Sequence, residues 1–147
     1  MPEYPDFFNE SERQEILKAI KEAERQCSAE LRVHLEDFCD HHPQDRAAFV
    51  FEELGMHETA LRNGVLIYLA VVDHDFAIIG DIGIHQHVGP MFWQECRDEM
   101  QTNFQEGRFK QGVLAGIAKA AERLREFFPP NADDRNELPD DISMGAI

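Results

Sequence analysis

Three side chains with hard oxygen donors stand at the ends of apolar runs. Glu30 precedes one run, Asn63 precedes a second, and Asp81 follows a third. Two carboxylates and an amide oxygen suit Ca²⁺ or Mg²⁺. Arg62 adds a fork of donors that matches a carboxylate or a phosphate. Gly64 and Gly80 allow backbone to approach a ligand, and His85 and His87, a little further on, could add imidazoles. A second polar group comprises Asp37, Asp40, Asp73 and Asp75, interleaved with His41, His42 and His74. It too could bind a divalent metal, although its spacing fits no established metal motif. Plainer chemistry competes in both places. Asp81 can cap a turn, Glu30 can pair with Arg62, and the second group is rich in ordinary turn residues.

Nucleophilic catalysis finds little support. There is no G-x-S-x-G elbow, P-loop or G-x-G-x-x-G fingerprint. Cys39 beside His41 and His42 is the one visible nucleophile–base pairing.

These residues need elements to position them. Val65–Val72 and Phe76–Ile79 are apolar runs split by Asp73-His74-Asp75 and bounded by glycines. They predict a hairpin of strands covered on both faces. Leu31, Val33 and Leu35 alternate with Arg32 and His34, the period of a half-covered strand at a sheet edge. Between them, Pro43 to Leu54 predicts a helix closed by Gly55. Strand, helix, strand implies a right-handed crossover with the first two strands parallel. A helix with an Asn9–Glu12 capping box precedes the first strand. Two more follow the hairpin, one opened by Pro90 and one that carries Gly112 and Gly116 and ends before Pro129-Pro130. His85 and His87 fall in what reads as an extended segment. The predicted fold is α/β, a small mixed sheet of at least three strands with helices on both faces. On this reading the Asp37–Asp75 group lies at the carboxyl ends of the parallel strands, where ligands of open α/β sheets commonly bind. Glu30, Asn63 and Asp81 meet at the opposite end.

The chain has 147 residues, enough for one domain with a substantial core. Its formal net charge is -15, which argues against nucleic acid and anionic membrane surfaces and suits solubility, cations or a basic partner. No apolar stretch approaches the roughly 20 residues of a membrane span, and the acidic N-terminus does not read as a signal peptide. A cytoplasmic protein is the expectation. Three cysteines without C-x-x-C spacing indicate neither a disulfide framework nor a zinc ribbon.

The ordered set of a capped helix, A-E-L-R-V-H, R-N-G-V-L-I-Y-L-A, F-A-I-I-G-D-I-G and a final G-V-L-A-G-I helix resembles the TPM domain family. The resemblance spans about Asn9–Phe128, leaving residues 1–8 as an N-terminal arm and 129–147 as an acidic tail. That tail contains N-E-L-P-D-D-I-S, similar to the ending of soluble bacterial members. The family implies a three-layer α/β/α sandwich. Its members include an acid phosphatase of the thylakoid lumen, a photosystem II repair factor and a receptor modulator, and some bind calcium. The family positions fall on Glu30, Asn63-Gly64 and Gly80-Asp81, the same end of the sheet. Many relatives carry an acidic residue where this chain has Arg62, which removes one potential ligand.

Three functions compete. The first is a calcium-binding or other divalent-cation-binding regulatory module. The second is a metal-assisted phosphomonoester hydrolase, with Glu30 and Asp81 on the ion and Arg62 on the phosphate. The third is a protein-binding module that uses the acidic surface or the tail. The substrate, the partner and the oligomeric state are not written in the residues.

Overall fold

The computed structural model describes residues 7–130 and 142–144. In chain order the elements are α1 (Glu10–Gln26), β1 (Glu30–Glu36), α2 (Pro43–Glu53), β2 (Gly64–Ala70), β3 (Asp75–Gly80), α3 (Ile82–His85), α4 (Pro90–Gln105), α5 (Phe109–Leu124) and β4 (Ile142–Met144). The strands form one mixed sheet in the order β3-β2-β1-β4. β1 and β2 are parallel, as the crossover requires, and β3 returns antiparallel with Ala70 opposite Asp75.

Local chemistry sets the element ends. Asn9 Oδ1 accepts from the Glu12 N–H at 2.8 Å, and Glu12 Oε1 accepts from the Asn9 N–H at 3.1 Å, so two orphan donors of α1 are satisfied reciprocally. Pro43 and Pro90 open α2 and α4, where their missing N–H groups cost nothing. Gly55, at φ 71°, follows α2 in the left-handed region.

Strand alternation then divides the core. Leu31, Val33, Leu35, Val65, Ile67, Leu69 and Ile78 pack with the buried faces of α1, α4 and α5. Leu66, Tyr68, Ala70 and Ala77 pack with Ala47, Val50 and Phe51 of α2. The result is three helices on one face, one on the other, and the sheet between them. Phe8 is buried and Phe7 stands edge-on to Phe109, so this end of the arm docks on the body. The rest of the arm lies outside the described residues.

Three expectations need correction. β1 is not an edge strand, because β4 pairs with it through Val33–Ile142, His34–Ser143 and Leu35–Met144. Part of the C-terminal tail is therefore a strand of the sheet. The segment after Gly83 is not extended: α3 is one helical turn, with Asp81 as its N-cap. Gly112 and Gly116 mainly admit α4. Added Cβ atoms there would lie 2.3 Å from Phe104 and 2.7 Å from Met100.

Cys27 and Cys96 are buried and Cys39 is partly exposed. Burial pushes the Cys96 thiol up to about 12. In the native protein Cys39 should therefore react with a thiol reagent, while Cys27 and Cys96 should react only after denaturation. Mass spectrometry of briefly alkylated protein checks this.

Candidate functional site

The end of the sheet that carries Glu30, Asn63 and Asp81 is built by register. Glu30 on β1 stands beside Gly64 on β2. On the other side of Gly64, its carbonyl accepts from the Asp81 N–H at 2.9 Å. The two carboxylates thus flank a residue without a side chain. Strand spacing puts their Cα atoms about 10 Å apart, with the Phe51 ring and the Met56 carbonyl over Gly64 between them. Glu30 and Asp81 are largely out of water, at 3% and 7% exposure.

Asp81 is heavily engaged. Its Oδ2 accepts from Arg62 Nε at 2.6 Å, and its Oδ1 accepts from Arg62 Nη2 at 2.8 Å and from the Ile82 N–H at 2.8 Å. One carboxylate therefore caps α3 and holds a bidentate guanidinium. Its hydrogen bonds to Asp81 hold the pKa of the Arg62 guanidinium above its ordinary value. The pair is asymmetric in solvent: the Asp81 side chain is 7% exposed and the Arg62 side chain 49%. Arg62 also sits at φ 50°, in the left-handed region that non-glycine residues rarely adopt.

Asn63 is buried, but its amide turns toward the α1–β1 junction, where Nδ2 donates to the Ser28 carbonyl at 3.0 Å. Gly80 lies against the Trp93 ring, and Gly64 lies under Phe51 and the Met56 carbonyl. His85 packs on Trp93 with ring centroids 5.4 Å apart. His87 stacks on Phe127 at 5.6 Å. Both imidazoles thus pack against aromatic rings.

Gly83 positions the pair. An added Cβ there would lie 2.1 Å from the Leu61 carbonyl and 2.5 Å from that of Arg62. The missing side chain lets α3 rest on the Leu61–Arg62 turn, which brings Arg62 and Asp81 together. Gly83→Ala must push backbone from backbone and should cost about 1–3 kcal/mol, measured as a lower denaturant midpoint.

The second polar group ties two loops. Asp73 Oδ2 accepts from the Cys39 N–H at 2.7 Å, and the Asp37 carbonyl accepts from the Val72 N–H at 2.9 Å. Asp40 belongs to the same β1–α2 loop, and Asp75 opens β3. Among the described residues, no three His, Cys, Asp or Glu side chains converge closely enough to hold a metal ion. The sheet-end set brings together two carboxylate residues, Glu30 and Asp81, and leaves Asn63 bonded to Ser28.

A third polar cluster lies in the interior and was not among the expected sites. Glu36, with a side chain 4% exposed, accepts from Arg46 Nε at 3.0 Å through Oε2, and from Arg46 Nη2 through Oε1. The Tyr68 hydroxyl donates to Glu36 Oε2 at 2.6 Å. His34, fully buried, places Nε2 at 3.4 Å from Glu36 Oε1 and Nδ1 at 2.7 Å from the Ser143 hydroxyl. Burial pushes the Glu36 carboxyl up, but the bonds from Arg46 and Tyr68 outweigh it and hold the group below its ordinary range. Burial and the Glu36 carboxylate together push the Tyr68 hydroxyl well up. One signal pointed here: a tyrosine inside the otherwise apolar V-L-I-Y-L-A strand needs an acceptor in the core.

The family model described as the TPM domain matches residues 3–123. The chain belongs to the TPM domain family. The structure of the BA42 protein from the psychrophilic bacterium Bizionia argentinensis shares 45% sequence identity, with a TM-score of 0.92 over 99% of this chain and 100% of that one. The N-terminal domain of the cg2496 protein from Corynebacterium glutamicum superposes with a TM-score of 0.67 at 11% identity, over 95% of this chain and 82% of that one. The N-terminal domain of a protein from P. gingivalis gives 0.71 at 15% identity, over 90% and 85%. The last two show the fold alone. No curated protein matches the chain. In this TPM domain β4 lies beyond the segment that the family model covers. Among the described residues, no helix is long and apolar enough to cross a membrane.

Proposed function

We propose that this TPM domain is a divalent-cation-binding regulatory module, with calcium the leading candidate. The ion is taken up at the Asp81 end of the sheet. One observation carries the reading: a nearly buried carboxylate is neutralised there by a guanidinium that is itself half in solvent. The environment already favours positive charge at that point, and the group now supplying it can swing away into water. Glu30, on the far side of Gly64, is the second carboxylate within reach. Backbone carbonyls and water would complete a shell of six to eight oxygens. In this reading Arg62 competes with the ion, so binding is weak and reversible and frees a guanidinium at the surface. That exchange is what a regulatory module needs.

The test is thermal unfolding of chelator-treated protein with and without millimolar Ca²⁺, on the native chain and on Asp81→Ala. A ligand at about 100 times its dissociation constant adds about 2.7 kcal/mol, a shift of several degrees for a domain of this size. A shift in the native chain that Asp81→Ala abolishes is the expected result. No shift with Ca²⁺ or Mg²⁺ would sink the proposal. A shift accompanied by turnover of a phosphomonoester would move the reading to the hydrolase.

A further inference from the structure

The two edges of the sheet are treated differently. On the β1 side, the outward Leu31 N–H is met by Glu24 Oε2 at 3.3 Å, and β4 covers Val33 to Leu35. Among the described residues the β3 side has no such cover. The Gly64 carbonyl accepts from the Asp81 N–H, so ladder alternation turns the N–H and C=O groups of Phe76 and Ile78 away from β2. Those groups have no partner among the described residues.

The first part of this edge, at Phe76 and Ala77, lines an open groove of about 450 Å³. One wall is the start of α2, with His42 and Gln44, and the other is α4, with Gln94, Arg97 and Gln101. Phe76 and Ala77 form the floor. The chain carries 29 acidic residues against 14 basic ones, yet among the described residues no carboxylate lines this groove. Arg97 makes no ion pair among the described residues. Its one bond runs from Nη2 to Gln94 Oε1 at 3.3 Å, with Gln94 in turn donating to Asp98 at 2.7 Å.

We propose that this groove binds an extended acidic peptide segment, which adds as a fifth strand beside β3 and places a carboxylate on Arg97. Backbone pairing with Phe76 and Ile78 supplies the affinity, and Arg97 with the glutamine amides supplies the selectivity. The recess favours a single strand over a second copy of the chain, whose own β3 lies behind the same two helix walls. An open edge is otherwise a hazard that proteins cover or blunt with charge. Here residues of two helices flank the edge at Phe76 and Ala77.

The probe is a displayed library of random octapeptides, selected on the immobilised full chain. The peptides that emerge are then titrated into ¹⁵N-labelled full chain. Expected are acidic sequences whose binding shifts the amide signals of Phe76, Ile78 and α4 near Arg97. Arg97→Glu should weaken them about tenfold or more, and N-methylation of alternate peptide amides should abolish binding. Arg97 makes no contact on which the fold depends, so this variant remains a clean probe, and its own amide spectrum confirms that it is folded. Failure to enrich any peptide overturns the proposal, as does binding that maps elsewhere or ignores the charge reversal. Concentration-dependent shifts at β3 without peptide would also overturn it, because the edge would then pair with a second copy.

Discussion

Arg46→Met should destabilise the protein by about 3–5 kcal/mol at neutral pH, the usual cost of leaving one member of a buried ion pair alone. Glu36 is the reason. Its carboxylate is almost wholly out of water and draws its principal bonds from Arg46 and Tyr68. Methionine fills much of the space left by the arginine stem but returns neither the charge nor the donors. The pH dependence gives the prediction its signature. Glu36 is held below its ordinary value of 4.5 in the folded chain. Its contribution is therefore complete above that value and is lost as the pH falls through the lower, folded one. In Arg46→Met desolvation dominates, and folding favours the protonated acid instead. The deficit should be largest near pH 7 and should shrink toward pH 4, as read from urea midpoints at both. Adding Glu36→Gln to Arg46→Met should recover part of the loss, since a neutral amide needs no countercharge. A uniform deficit at every pH would mean that packing, not charge, is the cause.

Arg62→Asp should tighten Ca²⁺ binding about tenfold or more, because affinity at such sites follows the number of charged ligands. The substitution removes the group that occupies both Asp81 oxygens and adds a third carboxylate at the same turn. Aspartate is also among the residues that tolerate the positive φ found there. Without the cation, Arg62→Asp should be less stable than the native chain, because Asp81 then faces a like charge. With saturating Ca²⁺ the order should reverse. Calorimetric titration with paired melting curves measures both halves. Unchanged or weaker binding would place the ion elsewhere, or nowhere, on this sheet.

Much of the architecture could be read from the residues. Val65–Val72 and Phe76–Ile79 are long apolar runs with turn residues between them, and the hairpin follows with ends displaced by a residue or two. The crossover through α2 follows from handedness. The readings that failed involve short or long-range features. β4 is three residues, too few to show a period, and its place depends on β1 rather than on its own sequence. α3 is a single turn held by the Asp81 cap, inside a stretch whose composition suits a loop equally well. The Glu36 cluster joins residues 10 and 32 positions apart, on three elements. Alternation put His34 on a half-covered strand, whereas it is fully buried beside Ser143 of the tail. At the sheet end, register places Glu30, Gly64 and Asp81 abreast, whereas the Asn63 amide, expected beside the two carboxylates, turns to the Ser28 carbonyl. The Arg62–Asp81 pair was not foreseen, because Glu30 was the partner that residue type suggested.

The β1–β4 pairing also sets a timetable. His34 and Ser143 are 109 residues apart. At roughly 5–20 residues per second, a ribosome needs roughly 5–20 s to travel between them. Through that interval the carbonyl of Val33 and the outward groups of Leu35 wait for a neighbour not yet made. Only Leu31, met by Glu24 from the helix synthesised just before it, can be closed early. The nascent chain therefore carries an unfinished sheet while everything from α2 to α5 emerges, and the last described strand to be translated is the one that seals it.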